Sequence, residues 1–183
     1  MSTGTHTPVS ISDMYNALKV AWQGVIGETP TDTALLSVMA QWALETGNGA
    51  SMYNYNVGNF KSAGGNGSPP GAYFTIPTHE TINGVYQVVQ ANFASYDSLQ
   101  AGVGAYLSAL HSRFSGSWPD IEDGDMQAFA QDLYDQGYYT GQPPDPVGTY
   151  AAGLVARRAL VASSLGLSVP SSGSSDNSGD DNA

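Results

Sequence analysis

The sequence predicts a mainly α chain of the α+β type: one helical domain with a small β-hairpin lobe inserted between its helices. Three observations predict it. Apolar residues recur at spacings of three and four in several separate stretches, which is the period of an amphipathic helix. One stretch, 71–96, instead has β-branched and aromatic runs on either side of Asn83-Gly84, a hairpin signal. The length, 183 residues, suits a single core of ordinary size.

The elements follow in order. Ile11, Met14, Tyr15, Leu18, Trp22 and Val25 form one stripe, so a helix runs from Ser10 to about Ile26 with Ser10 or Ser12 as its cap. The stretch GETPT breaks it. A second helix starts with Thr29 as cap and Pro30 in its first turn, or with Thr31 one step later, and stops at Gly47-Asn48-Gly49. Residues 47–70 read as a loop, and a loop of that length inside a domain is usually functional. Asp97 and Gln100 have capping-box spacing, opening a third helix striped by Leu99, Val103, Tyr106, Leu107, Leu110 and Phe114. GSWPDIEDGD reads as a break. A short helix from Asp125 to Gln136 buries Met126, Phe129, Ala130 and Leu133, and a last helix covers about Val147 to Leu165. The expected organisation is a flexible N-terminus (1–9), one domain (10–167) and a disordered Ser/Gly/Asp-rich tail (168–183).

Charge removes several functions. Five Lys and Arg against sixteen Asp and Glu give a net charge of −11, the wrong sign for nucleic acid or anionic lipid. No apolar run reaches the roughly 20 residues of a membrane span, so no membrane insertion is expected. The opening MSTGTHTPVS lacks the basic and apolar regions of a secretory signal. Cys is absent, which excludes disulfides, thiol catalysis and cysteine metal sites. His6, His79 and His111 lack the spacing of a zinc site, and the segment after Asp123-Gly124-Asp125 lacks calcium ligands. No metal or cofactor is therefore expected. Abundant Gly (22) and Tyr (11) with only 11% charged residues suggest a surface of hydroxyls, amides and rings, which suits sugars.

Glu45 is the leading candidate for chemistry. It lies seven residues after Val38 and three after Trp42, on the inward stripe of the second helix. It also sits in the last turn, where the helix dipole is negative. Burial and dipole both disfavour the anion and raise the pKa. A carboxyl still protonated near neutral pH can protonate the leaving oxygen in glycoside cleavage. The competing reading is a frayed helix end with Glu45 in water. Trp42, one turn earlier, reads as core rather than as a sugar platform.

Four segments, in order over residues 32–165, carry a family resemblance. Ala40-Gln41-Trp42-Ala43-Leu44-Glu45-Thr46-Gly47-Asn48-Gly49 resembles the A-Q-x-A-L-E-[ST]-G-x-G segment of the glucosaminidase domain. Tyr55-Asn56-Val57-Gly58-Asn59-Phe60-Lys61, Ala91 to Ser98, and Gln136-Gly137-Tyr138-Tyr139-Thr140 with Tyr150 resemble its next three. This is the peptidoglycan-hydrolase group called glycoside hydrolase family 73, within the lysozyme-like superfamily. The resemblance implies a lysozyme-like fold with Glu45 as general acid. Thr78-His79-Glu80, with Gly84 after it, is similar to the family's T-x-E-x-x-x-G segment, which implies Glu80 as the second carboxyl. That carboxyl either activates a water or is dispensable, with the substrate's acetamido group attacking instead. The competing reading of Glu80 is a solvated hairpin residue. Tyr138 matches the family's loop tyrosine, with Tyr139 a close competitor. Tyr55, Asn56 and Asn59 are implied as glycan contacts; loop-stabilising Asn turns are the alternative reading of these positions. The chain departs from the family at Ala94, where an Arg is usual, and at the insertion from Thr140 to Pro146.

The expected function is an endo-β-N-acetylglucosaminidase acting on peptidoglycan. Two rivals stand beside it: a lytic transglycosylase or muramidase on the same fold, and a non-catalytic glycan-binding structural protein. The expected place of action is the bacterial cell wall, with delivery by a phage holin, a virion or a secretion system. The other expected partners are virion or secretion-apparatus proteins.

Overall fold

Five of the six α-helices among the described residues start where a side-chain oxygen satisfies a free backbone N–H. In the computed structural model, which describes residues 4–61, 72–82, 85–140 and 144–169, Ser10 Oγ accepts from Asp13 N and starts α1 (Ile11–Val25). Thr31, not Thr29, caps α2 (Asp32–Thr46) by accepting from Ala34 N. Gly47 ends α2 at φ 58, where a side chain would be strained.

The central helix is α2. Leu35, Leu36, Val38, Met39 and Trp42 are each at most 1% exposed, so α2 is buried on all sides rather than on one stripe. It packs on α6 (Pro146–Leu165), which Asp145 caps through Gly148 N. α6 also packs on α5 (Met126–Asp135), and α1 packs on α3 (Leu99–Ser112).

Two expectations are corrected. Ser98, not an Asp97–Gln100 box, caps α3, because its hydroxyl reaches Ala101 N. GSWPDIEDGD is not an irregular break. It forms a 3-10 turn (Ser115–Ser117) and α4 (Trp118–Asp123), with Pro119 in the first turn and Gly124 ending the helix at φ 74. A helix of six residues is too short to show the period that reveals longer ones.

The hairpin pairs β1 (Tyr73–Ile82) antiparallel with β2 (Val85–Ala94), from Tyr73↔Ala94 to Ile82↔Val85. A lone two-stranded ribbon is marginal in water, so its base matters. Phe74 and Phe93 stack at 5.8 Å and are 2% and 5% exposed. Ala94 N donates to Phe60 O at 2.9 Å, and Ser95 N to Ala72 O at 2.9 Å. The ribbon is thereby fastened to the loop after α2. Further out, Val88 is 60% exposed.

Residues 4–9, expected to be loose, run alongside that same loop. Thr7 N donates to Met52 O at 2.9 Å, and Asn54 N to Thr5 O at 2.8 Å. The loop leaves backbone groups without partners inside a regular element, and this strap supplies them. Residues 170–183 lie outside the described residues. Among the described residues, no helix is long and apolar enough to cross a membrane.

Candidate active site

Glu45 is partly buried in the last turn of α2. The chain is locked beyond it: Thr46 Oγ1 donates to Trp42 O at 2.6 Å and accepts from Gly49 N at 2.9 Å. A Cβ on Gly49 would fall 2.2 Å from Val9 O and 2.7 Å from Trp42, so only glycine lets the strap and α2 approach there. The loop then uses left-handed backbone at Asn54, Tyr55 and Asn59. Asparagine tolerates that conformation; for Tyr55, at φ 50, it is strained.

Asn56 holds the loop closed. Its Nδ2 donates to Phe60 O at 2.8 Å, and its Oδ1 accepts from Phe60 N at 2.9 Å. The residue is 3% exposed and its amide is used internally.

The loop and the hairpin form the two walls of a groove of about 230 Å³ with Glu45 on its lining. Ser51, Met52, Tyr53, Asn56 and Asn59 come from the loop side; Phe74, Ile76, Thr78 and Phe93 come from the ribbon. Apolar rings beside amides and a hydroxyl suit a sugar, which has C–H faces and hydroxyl edges.

Glu45 is served from behind. Tyr150, on α6, donates its hydroxyl to Glu45 Oε1 at 2.7 Å. Gln41 Nε2 faces Tyr150 Oη at 3.5 Å, and Tyr106 of α3 donates its hydroxyl to Gln41 Oε1. Tyr139 stacks flat on Tyr150 at 4.0 Å. Burial raises the Glu45 pKa, and the Tyr150 hydrogen bond pulls the other way. Burial and the Glu45 charge hold the Tyr106, Tyr138 and Tyr150 phenols well above their ordinary range, so all three remain neutral.

The expected residues divide by place. Glu45, Asn56 and Asn59 line the groove. Tyr55 packs instead against α3, its carbonyl held over Gly102. Tyr138 lies between Phe60 and Phe114 and donates to Gly58 O at 2.8 Å. Tyr139 supports Tyr150 and donates to Ala130 O at 3.0 Å. Residue 80 lies on β1 opposite Gln87, but the Glu80 side chain is outside the described residues. Sequence reasoning missed Tyr150 as the partner of Glu45, and Gln41 and Tyr106 behind it. Gln41 carried a signal: it precedes Glu45 by four residues, so both share a helix face. Among the described residues, no group of His, Asp and Glu converges as a metal site.

The family described as Glucosaminidase, mannosyl-glycoprotein endo-beta-N-acetylglucosaminidase, matches residues 32–159. No curated protein sequence matches the chain. Among solved structures, a mutant peptidoglycan hydrolase from Sphingomonas sp. A1 is 25% identical with a TM-score of 0.59, covering 82% of this chain and 96% of that one. The catalytic domain of the autolysin Auto from Listeria monocytogenes is 22% identical with a TM-score of 0.55, covering 88% of each chain. A glycoside hydrolase domain of FlgJ from Salmonella typhimurium is 22% identical with a TM-score of 0.53, covering 84% and 99%. The last two likenesses speak for the fold alone.

Proposed function

The chain belongs to the glucosaminidase family of glycoside hydrolases, and from that premise we propose that it cleaves the β-1,4 bond on the reducing side of N-acetylglucosamine in peptidoglycan, with Glu45 as the general acid. The observation that carries this reading is the Glu45 carboxyl on the groove lining, its pKa raised by burial and one oxygen engaged by Tyr150. Peptidoglycan is the polymer named for the Sphingomonas structure at 25% identity.

In this reading a glycan strand lies in the groove between loop and ribbon. Glu45 gives its proton to the bridging oxygen as the bond to the sugar carbon breaks, and water completes the hydrolysis. By strand alternation, position 80 shares a face of β1 with Phe74, Ile76 and Thr78, which supports Glu80 as the second carboxyl. Asn59, exposed at the groove edge, is the polar loop contact best placed for a sugar hydroxyl. Tyr138 acts by holding Gly58 beside Asn59; orienting substrate itself would require its hydroxyl to leave Gly58. Tyr55 acts through the loop's shape.

A zymogram tests the acid. Glu45→Gln should lose cell-wall clearing, and equal clearing by both proteins would remove Glu45 from the role. Mass analysis of murein digests tests the bond cleaved: N-acetylglucosamine reducing ends are expected, whereas 1,6-anhydromuramic ends would mark a transglycosylase. Binding of murein by an intact but inactive wild type would mark a binding module. Delivery through a phage lysis system, a virion or a secretion apparatus completes the proposal. A net charge of −11 hinders free approach to anionic wall polymers and favours arrival on a carrier. Co-sedimentation with phage particles checks that route.

A further inference from the structure

We propose that Tyr106, Gln41 and Tyr150 form a one-way hydrogen-bond chain that keeps Glu45 Oε1 an acceptor and so assigns the transferable proton to Oε2. The role of that proton rests on Glu45 being the acid; the direction of the chain does not.

The direction begins at Tyr106, which is 1% exposed and whose hydroxyl bonds to Gln41. A buried hydroxyl hydrogen must find an acceptor, and only the carbonyl end of an amide accepts. Gln41 is itself fully buried. Its carbonyl therefore turns to Tyr106 and its NH2 to Tyr150, at 3.5 Å the longest link in the chain. Facing a donor, Tyr150 has its own hydrogen left for Glu45 Oε1, at 2.7 Å. Were Glu45 to carry its proton on Oε1, two hydrogens would meet across that contact. One would lack an acceptor in a buried place, which is costly. The neutral acid thus holds its proton on Oε2, and the anion left after transfer keeps the Tyr150 hydrogen bond.

The groups facing Glu45 leave this chain in control. Tyr106 comes from α3, Tyr138 from the segment after α5, and Tyr150 from α6; burial and the Glu45 charge keep all three neutral. Phe74, Ile76 and Thr78 of the ribbon carry no charge, and Tyr53 of the loop is the remaining titratable side chain on the described lining. Tyr106, Gln41 and Tyr150 are positioning residues: Tyr150 touches the acid, Gln41 and Tyr106 act on it through Tyr150, and the proposal places none of them on the substrate.

The test is titration of Glu45 in the full chain carrying 13C at the glutamate carboxyls. Only Glu28, Glu45, Glu80 and Glu122 give signals, and Glu45→Gln assigns the one of interest. Tyr150→Phe should raise the Glu45 midpoint by about one pH unit, because the anion loses a hydrogen bond. Tyr106→Phe should raise it too, although Tyr106 does not touch Glu45 in the chain. The freed amide turns its carbonyl to Tyr150 and takes the hydrogen. Adding Gln41→Leu to Tyr106→Phe should restore the wild-type midpoint, since no carbonyl then competes. An unmoved midpoint in Tyr106→Phe, or a raised one in the double variant, overturns the chain. The basic limb of the kcat/KM profile should follow the same shifts. An active Glu45→Gln variant would overturn the general-acid reading instead, and the titrations would still decide the direction of the hydrogen bonds.

Discussion

The rings of Tyr139 and Tyr150 lie 4.0 Å apart with 13° between their planes, and Tyr150 reaches Glu45 from that stack. Tyr139 thus fixes where the phenol that touches the carboxyl sits. Its own hydroxyl is spent on Ala130 O. Tyr139→Ala should lower kcat roughly ten-fold with little change in KM, because a displaced catalytic partner is costly even when substrate still binds. Tyr139→Phe keeps the ring and should keep the rate, losing about 1 kcal/mol of stability with the hydrogen bond. Steady-state kinetics on murein and urea unfolding measure both. Equal rates for Tyr139→Ala and wild type would remove the stack from the site's geometry.

The place of Glu45, the proposed acid, was legible in the sequence because its signals are local: one helix turn and one glycine-rich stop. The stripe argument put Glu45 off the solvent face, and the structure has it partly buried on the groove lining, but the reason was partly mistaken. A stripe implies one buried face, whereas α2 is buried all round by α6 and the elements about it. What lay beyond the sequence was non-local. Tyr150 follows Glu45 by 105 residues: the fourth family segment includes Tyr150, but nothing in the sequence says that its hydroxyl meets a carboxyl on the second helix. Asn56 shows a different limit. Its type and place suit sugar contact, but a buried backbone donor and acceptor at Phe60 use its amide first.

The raised Glu45 pKa has a stability consequence whose sign is fixed. Its folded value lies above the ordinary 4.5, so the folded state binds this proton more tightly than the unfolded chain does. Stability from this group is complete below pH 4.5 and is lost as pH rises through the folded value. Glu45→Gln stays neutral and still offers Tyr150 an acceptor. The variant should therefore be more stable than wild type at pH 8, with the difference shrinking toward pH 4. Urea unfolding across that range checks it. A variant less stable at pH 8 would show that the carboxylate is not strained by burial.

Asp120 repeats this logic away from the groove. Burial, then the Asp132, Asp125 and Asp123 carboxylates, push its pKa from 3.8 to about 6. Asp120→Asn should gain stability above pH 6 and none near pH 4, while clearing of cell walls stays unchanged. Thermal melts at the two pH values, with a turbidity assay, measure each part.

Asn56→Ala should destabilise by about 1–3 kcal/mol, since it strands the N–H of Phe60 and takes one of two hydrogen bonds from its C=O. Phe60 O also accepts from Ala94 N, the strap between loop and ribbon. Hydrogen exchange at Ala94 should therefore quicken in the variant along with global unfolding.

Two glycines of α3 separate close approach from mere permissiveness. A Cβ on Gly102 would stand 2.0 Å from the Tyr55 carbonyl oxygen, whereas one on Gly104 would meet nothing within 4 Å. In a helix interior, Gly to Ala normally gains about 0.5–1 kcal/mol, because the unfolded chain loses freedom. Gly104→Ala should show that gain. Gly102→Ala should instead lose about 2–3 kcal/mol, as overpacking against backbone cannot be relieved by a side-chain rotation. Because Tyr55 is already strained at φ 50, the loop should shift with it and carry Asn56 and Asn59 away from Glu45. Gly102→Ala should thus lower kcat/KM at temperatures where it is still folded, and Gly104→Ala should not. Urea midpoints and murein kinetics on the pair decide whether α3 sets the loop wall of the groove.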